Sequence, residues 1–199
     1  MSTTSAPYGF RPSFHNSGQI RPKAYTIVTG YAATIFSGDP VKLVSTGTIQ
    51  IGSSDGTRTG TTDGITLLGI FAGVEYNDAT GKPTISPFWP ASTTGTEIVA
   101  YVYDDPETLY DSQYANPGTP GTTSVQVDVG AQADWRVASP GGSTSTGISS
   151  TYLTALVATS GQFQITGSAY LITDSLTDAY VSMTVRLNEA AYKAPVNAI

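Results

Sequence analysis

The chain has 199 residues and a formal charge of −6, and only 12% of it is charged; 30 Thr, 21 Ser, 21 Gly and 12 Pro supply the polar and turn-forming character. An acidic chain repels phosphate backbones, which argues against a general nucleic-acid binder. With no cysteine and a single histidine, His15, disulfides, thiolate nucleophiles and cysteine metal sites are excluded, and a His-rich zinc site or a Ser–His–Asp triad has no material.

Hydrophobic content of 39%, with 12 Tyr and 6 Phe, argues against wholesale disorder. The length suffices for one β domain or two small ones with a real core. The Thr-rich, Gly- and Pro-punctuated composition favours strands joined by many turns. The opening MSTTSAPYGF lacks the charged and apolar regions of a secretory leader, and no run of about 18 apolar residues occurs, so folding in a cytoplasm is expected.

Charge is uneven along the chain. The first 38 residues hold Arg11, Arg21 and Lys23 and no acid, while all fifteen Asp and Glu follow from Asp39 onward. A cationic start on an acidic body suggests an arm that docks on an acidic surface, although three charges in a polar tail also cluster by chance. Residues 1–23 read as that arm. Pro7, Pro12 and Pro22 block helix, and Gly9 and Gly18 loosen the chain. Tyr8, Phe10, Phe14 and Ile20 are apolar, so the arm is expected to pack on its own body or on a neighbouring subunit.

Strands are expected at Tyr25–Thr29, Val41–Val44 and Thr48–Ile51, the last two joined by a tight turn at Thr46-Gly47. Residues 52–64 form a polar Gly/Ser/Thr loop, expected to be exposed and mobile. Thr66–Tyr76, TLLGIFAGVEY, is the most apolar run and reads as the central strand of the core. Gly69 and Gly73 within it mark a bulge or a close backbone approach. Glu97–Tyr103 is a strand with two apolar faces, and Leu109–Tyr114 a shorter one.

Val125, Val127 and Val129 alternate with Gln126 and Asp128 as a half-solvated strand would. Asp134–Ala138 is a short strand anchored by Trp135, and residues 139–150 are a second low-complexity loop. Thr151–Val157 fits a short helix or an extended crossover. Phe163 and Ile165 with Tyr170 and Ile172 suggest a hairpin across Gly167. Tyr180–Asn188 is the last strand, with Val181, Met183, Val185 and Leu187 on one face, and the tail after Ala190 is expected to be loose. The fold expected is all-β: a compact β-barrel or β-sandwich body over residues 24–199 with an extended N-terminal arm, and room for two lobes divided near residues 90–96.

Candidate chemistry is sparse. Gly81-Lys82 resembles the end of a phosphate loop, but Tyr76 stands where the first glycine is needed and Pro83 where Ser or Thr is needed. Asp104 and Asp105 could hold a hard cation with Glu107 or Asp111; a strand-end turn before Pro106 is the preferred reading. Nothing sets two carboxylates across a cleft for glycoside hydrolysis. Trp89 and Trp135 could line a sugar-binding face, but core or interface positions are favoured for them, as for Phe71 and Tyr76.

Several segments resemble the capsid cement, or head decoration, proteins of tailed bacteriophages: Pro7–Pro12 (PYGFRP), Gly38–Leu43 (GDPVKL), Leu68–Tyr76 (LGIFAGVEY), Gly81–Pro90 (GKPTISPFWP) and Asp104–Pro106 (DDP). The likeness is concentrated in residues 7–114; Ser145-Thr146-Gly147 and the closing strand add general character. The resemblance implies a β-rich, often trimeric virion protein on the outer capsid surface. Such proteins sit at the three-fold and quasi-three-fold points of an expanded icosahedral head, clamp neighbouring major capsid proteins, and have no catalytic residue.

The expectation is therefore a non-enzymatic homotrimer without cofactor, membrane or direct nucleic-acid contact. Its partner is the major capsid protein, and Phe10, Arg11, Phe14, Arg21 and Lys23 are the docking residues of the arm. The alternative is a carbohydrate-binding β-module for host or surface adhesion, built on the aromatics and the two Ser/Thr/Gly loops.

Overall fold

Apolar, β-branched and aromatic runs separated by Gly, Pro and Asp turns become strands throughout. The computed structural model, which describes residues 4–58, 60, 64–157, 161–169 and 174–192, contains fourteen strands and one short 3-10 helix among them. The first strand, β1 (Arg11–Phe14), belongs to the arm and pairs with a strand of the distant second half.

An open sheet comes next. It is drawn from β2 (Lys23–Tyr25), β4 (Pro40–Leu43), β5 (Ile49–Ile51), β6 (Gly69–Asn77), β7 (Pro83–Ser86) and β9 (Thr96–Tyr103). The order is β2–β9–β6–β4–β5. Two further strands, β3 (Ile35–Phe36) and β8 (Phe88–Trp89), pair with each other alone.

The central position falls to β6. β9 runs along one side of it, while β4 and then β7 share the other. Gly69 is needed because a Cβ there would overlap the Tyr103 carbonyl, and the ladder shifts register between Phe71 and Gly73. β4 and β5 form the hairpin around Thr46-Gly47. Phe71, Val74, Tyr76, Trp89, Ala100 and Val102 fill the core of this half. On β9 only the Ala100–Val102 face is fully buried; Val99, Tyr101 and Tyr103 are half-buried. The strand expected over Tyr25–Thr29 ends at Tyr25, and Ile27 beyond it is buried without a ladder partner.

The second half closes on itself. β10 (Leu109–Ala115), β11 (Gln132–Gly142), β12 (Ser149–Val157), β13 (Phe163–Ser168) and β14 (Tyr180–Leu187) run in the order β10–β12–β11–β13–β14, and β14 returns to β10. The ring is a five-stranded barrel, which removes its sheet edges. Val181, Met183, Val185 and Leu187 point inward with Tyr110, Tyr114, Trp135, Leu153, Phe163 and Ile165. One seam is thin: β10 and β12 are parallel and meet only at Tyr114 and Leu153. β1 occupies the rest of that seam, pairing with β10 from Leu109 to Asp111.

Several expectations are corrected here. Val125–Asp128 is a turn of 3-10 helix, because Ser124 Oγ accepts from the Gln126 N–H and the buried residues, Val125 and Asp128, lie three apart. Val127, one of the three valines whose alternation suggested a half-solvated strand, is 79% exposed. The loop expected over 139–150 is shorter, since β11 runs to Gly142 and β12 begins at Ser149. Thr151–Val157 is strand, paired antiparallel with β11. β13 pairs with β14 and β11; the hairpin partners Tyr170 and Ile172, and residues 193–199 of the tail, lie outside the described residues.

The sheets part at Asp104–Thr108, between β9 and β10, since the strand after residues 90–96 still pairs with β6. The two cores meet: Ile51, Leu67 and Ile70 from the open-sheet half pack into the barrel cluster. Bridges Ser37 to Ile148 and Leu67 to Ala190 stitch the halves.

Candidate functional site

The arm is seated on the body by Ala6, Tyr8, Gly9 and Phe10. The Ala6 N–H donates to Gln113 Oε1 at 3.2 Å, and the Tyr8 hydroxyl donates to Ser182 Oγ at 3.1 Å. Gly9 N–H donates to the Thr151 carbonyl at 3.1 Å and Phe10 N–H to the Gly38 carbonyl at 3.0 Å. Gly9 has φ +78°, and a Cβ there would lie 3.0 Å from both the Gly38 oxygen and Ser149 Cβ, so only glycine lets the arm enter. The Phe10 ring then stacks on Phe163 at 4.2 Å and 6°.

The acidic link between the two sheets holds the next part of the arm. Lys23 Nζ lies 3.0 Å from Asp104 Oδ2, and the Tyr25 hydroxyl donates to the same oxygen at 2.6 Å. His15 Nε2 lies 3.1 Å from Asp105 Oδ2. Hydrogen bonding to Asp104 raises the Lys23 ammonium above its ordinary value, and burial pushes the Tyr25 phenol up.

Five arm residues were expected to dock on a partner, and the body claims two of them. Phe10 is 1% exposed and belongs to the barrel core, so it is not offered outward, and Lys23 is paired with Asp104. Arg11, Phe14 and Arg21 remain on the surface. The Arg11 guanidinium lies over the Tyr8 ring at 4.5 Å, and Phe14 is 54% exposed. Among the described residues neither arginine has a carboxylate partner.

A buried charge sits where arm, sheet and barrel meet. Asp39 is fully buried. Its Oδ2 accepts from the Phe36 N–H at 2.7 Å and from Arg58 Nη1, and its Oδ1 accepts from Ser149 Oγ at 2.5 Å. Arg58 also donates to the Gly141 carbonyl and lies over the Phe36 ring at 5.0 Å. Burial pushes the Asp39 carboxyl up, and the Arg58 guanidinium opposes it. Thus Arg58 ties the supposedly exposed loop 52–64 to the end of β11, and Gly52, Ser53 and Gly56 of that loop are buried.

Phe71, Tyr76, Trp89 and Trp135 are all buried; Trp89 meets Tyr76 edge-on at 5.2 Å. A sugar platform needs an exposed ring, and neither tryptophan supplies one. Among the described residues no three His, Asp or Glu converge on a metal position, and no helix is long and apolar enough to cross a membrane.

Two clefts remain. One, of about 520 Å3, lies between the arm and the β11–β12 turn and is lined by Tyr8, Arg11 and the hydroxyls of Ser139, Ser143, Thr146 and Ser150. The other, about 300 Å3, lies on the outer face of β6, β7 and β9, where Ile85 is 85% exposed beside Glu75 and Glu97. Sequence reasoning missed this second surface, because Pro83–Ser86 is too short to register as a strand; an isoleucine alone among polar turn residues was the available signal. Compared with protein-family models, with curated proteins and with solved structures, the chain matches none.

Proposed function

We propose that this chain is a structural virion protein that decorates and stabilises an icosahedral phage head, as a homotrimer bridging neighbouring major capsid proteins on the outer surface. The resemblance of residues 7–114 to capsid cement proteins points there, and one structural observation carries it: the exposed strip Arg11, Phe14 and Arg21 on a fastened arm. Arginine and aromatic side chains dominate binding energy at protein interfaces. Because Phe10 and Lys23 anchor the arm, little ordering entropy is lost when the strip docks. Repetition around a closed shell lets weak contacts add.

The test is co-sedimentation with heads of the encoding phage before and after expansion. Saturable binding to expanded heads at a fixed ratio to the major capsid protein is expected, reduced at least tenfold by Arg11→Glu with Arg21→Glu. Full binding by that variant removes the strip from the reading, and no binding of the wild type to either form removes the reading itself.

The alternative, a carbohydrate-binding adhesion module, draws on the hydroxyl-lined cleft beside Tyr8. A glycan array decides it: saturable binding lost on Tyr8→Ala with the fold retained supports adhesion.

A further inference from the structure

One corner of the barrel gathers three side chains that offer oxygen. β11 brings Asp134, which is 5% exposed, the two residues before β13 bring Gln162, which is fully buried, and the exit of β14 brings Glu189. Hydrogen bonds fix their order. The Gln162 N–H donates to Asp134 Oδ1 at 3.2 Å, and the Gln162 carbonyl accepts from the N–H groups of Asn188 at 2.9 Å and Glu189 at 3.4 Å. Gln162 therefore stands between the two acids. Its neighbour Gly161 is fastened as well, its N–H on Gln132 Oε1 at 2.9 Å and its carbonyl on Asn188 Nδ2 at 2.8 Å.

The Gln162 amide is not free to turn. Its Nε2 donates to the Ile65 carbonyl at 2.8 Å, and reversing the amide would set oxygen against oxygen. Oε1 is left inside the protein without a donor, a condition rare for a buried amide oxygen. Glu189 adds to the deficit. Its carboxylate is half-buried and has neither hydrogen bond nor ion pair among the described residues. Burial pushes the Glu189 carboxyl up, and the charge of Asp134 pushes it further. Two like charges and an unpartnered carbonyl oxygen thus share one corner, and a hard cation answers all three together.

We propose that Asp134, Glu189 and the side-chain oxygen of Gln162 form a site for a divalent cation of the calcium class, with water completing its shell. Carboxylate, amide and water oxygens in an irregular set suit calcium, whereas magnesium demands a tighter octahedron and keeps more of its own water. With only two carboxylates, the affinity belongs with weak calcium modules, at about 0.1–1 mM.

The placement gives the ion a structural task. The Leu67 N–H donates to the Glu189 carbonyl at 2.9 Å and the Ala191 N–H to the Leu67 carbonyl at 2.7 Å, so the site lies where the open-sheet half is stitched to the barrel. Ile65, which holds the Gln162 amide, belongs to the same segment. A bound cation clamps β11, Gln162 and the exit of β14 at that seam.

The test is thermal unfolding of the full chain, stripped with a chelator and titrated with calcium chloride, against magnesium chloride and sodium chloride at matched ionic strength. Calcium should raise Tm along a saturating curve, magnesium less, and sodium not at all. Asp134→Asn keeps an oxygen for the Gln162 N–H, and Glu189→Gln removes a charge that holds no hydrogen bond among the described residues. Each should weaken calcium binding at least tenfold by isothermal titration calorimetry. Without calcium, Glu189→Gln should melt no lower than the wild type, because it removes a like charge; a residue with a purely structural role would melt lower. Circular dichroism checks each fold, and Glu189→Gln decides alone if Asp134→Asn does not fold. A wild type with no saturable calcium response up to about 10 mM, ten times the weakest affinity expected, or a response that Glu189→Gln keeps in full, overturns the proposal.

Discussion

The barrel and the open sheet use the same residue types and finish in opposite ways. The barrel joins β14 back to β10 and fills its one thin seam with the arm. Its outward polar groups are satisfied internally: Arg186 donates to Gln164 at 2.6 Å and Thr184 to Asp111 at 2.8 Å. The open sheet ends in β5, β2 and β7 and leaves Ile85 in solvent. A sheet closed on itself has no need of a partner, whereas an open one leaves backbone and apolar surface uncovered. The difference is that the second half covers its own edges while the first leaves edges and an apolar side chain uncovered.

Cutting the joint between them should have the largest effect. Asp39→Ala leaves Arg58 buried without its carboxylate and should cost about 4 kcal/mol, measured by denaturant unfolding. It should also split one transition into two, since the shared charge ties the loops of both halves; a single unshifted transition breaks the comparison. Phe10→Ala comes next, at about 3 kcal/mol, because the ring lies at the barrel mouth and its loss leaves a cavity on Phe163. Amide exchange should quicken at Gly9 and Phe10 and along β12, while β6 stays protected. Gly69→Ala tests the other side: the new methyl meets the Tyr103 carbonyl, and about 2 kcal/mol should be lost from the open sheet alone.

Alkaline pH sharpens the contrast more gently. Burial pushes the Tyr31 phenol up to about 12 from 10.0, and raises Tyr110 and Tyr114 as well. A group whose folded value is raised contributes stability that is whole below the unfolded value and lost as pH climbs through the folded one. Unfolding should therefore set in between pH 10 and 12, with phenolate absorbance rising together with the loss of structure. Tyr31→Phe should flatten the decline reported by the open sheet and leave the barrel's part unchanged. Smallest of all, Ile85→Ser should move stability by no more than about 0.5 kcal/mol.

Much of the fold was legible where a strand's own pattern carried its environment. Thr66–Tyr76 announced a buried centre, and β14 declared its inward face by strict alternation. The hairpin at Thr46-Gly47 followed from turn chemistry. What failed depended on distant partners. Ser149 and Gly142 are poor strand formers, made strand by pairing with each other's ladder. Val125–Val129 alternated convincingly, yet a serine cap and two buried residues three apart chose a tighter turn. Ring closure has no local signature at all. The candidate site divided likewise: charge singles out Arg11, Arg21 and Lys23 in the sequence, but only the folded structure shows that Phe163 takes Phe10 and Asp104 takes Lys23.

The stacking of Phe10 on Phe163 also dictates an order of events. The arm leaves the ribosome before its seat, which is assembled from Gly38, β10, β12 and Phe163, the last of which follows it by about 150 residues. Closing so long a loop is slow and entropically costly, so it waits until the barrel exists to reward it. The arm thus folds after the barrel that seats it, and every newly made copy passes through a stage in which Tyr8, Phe10 and the arm's arginines are free together.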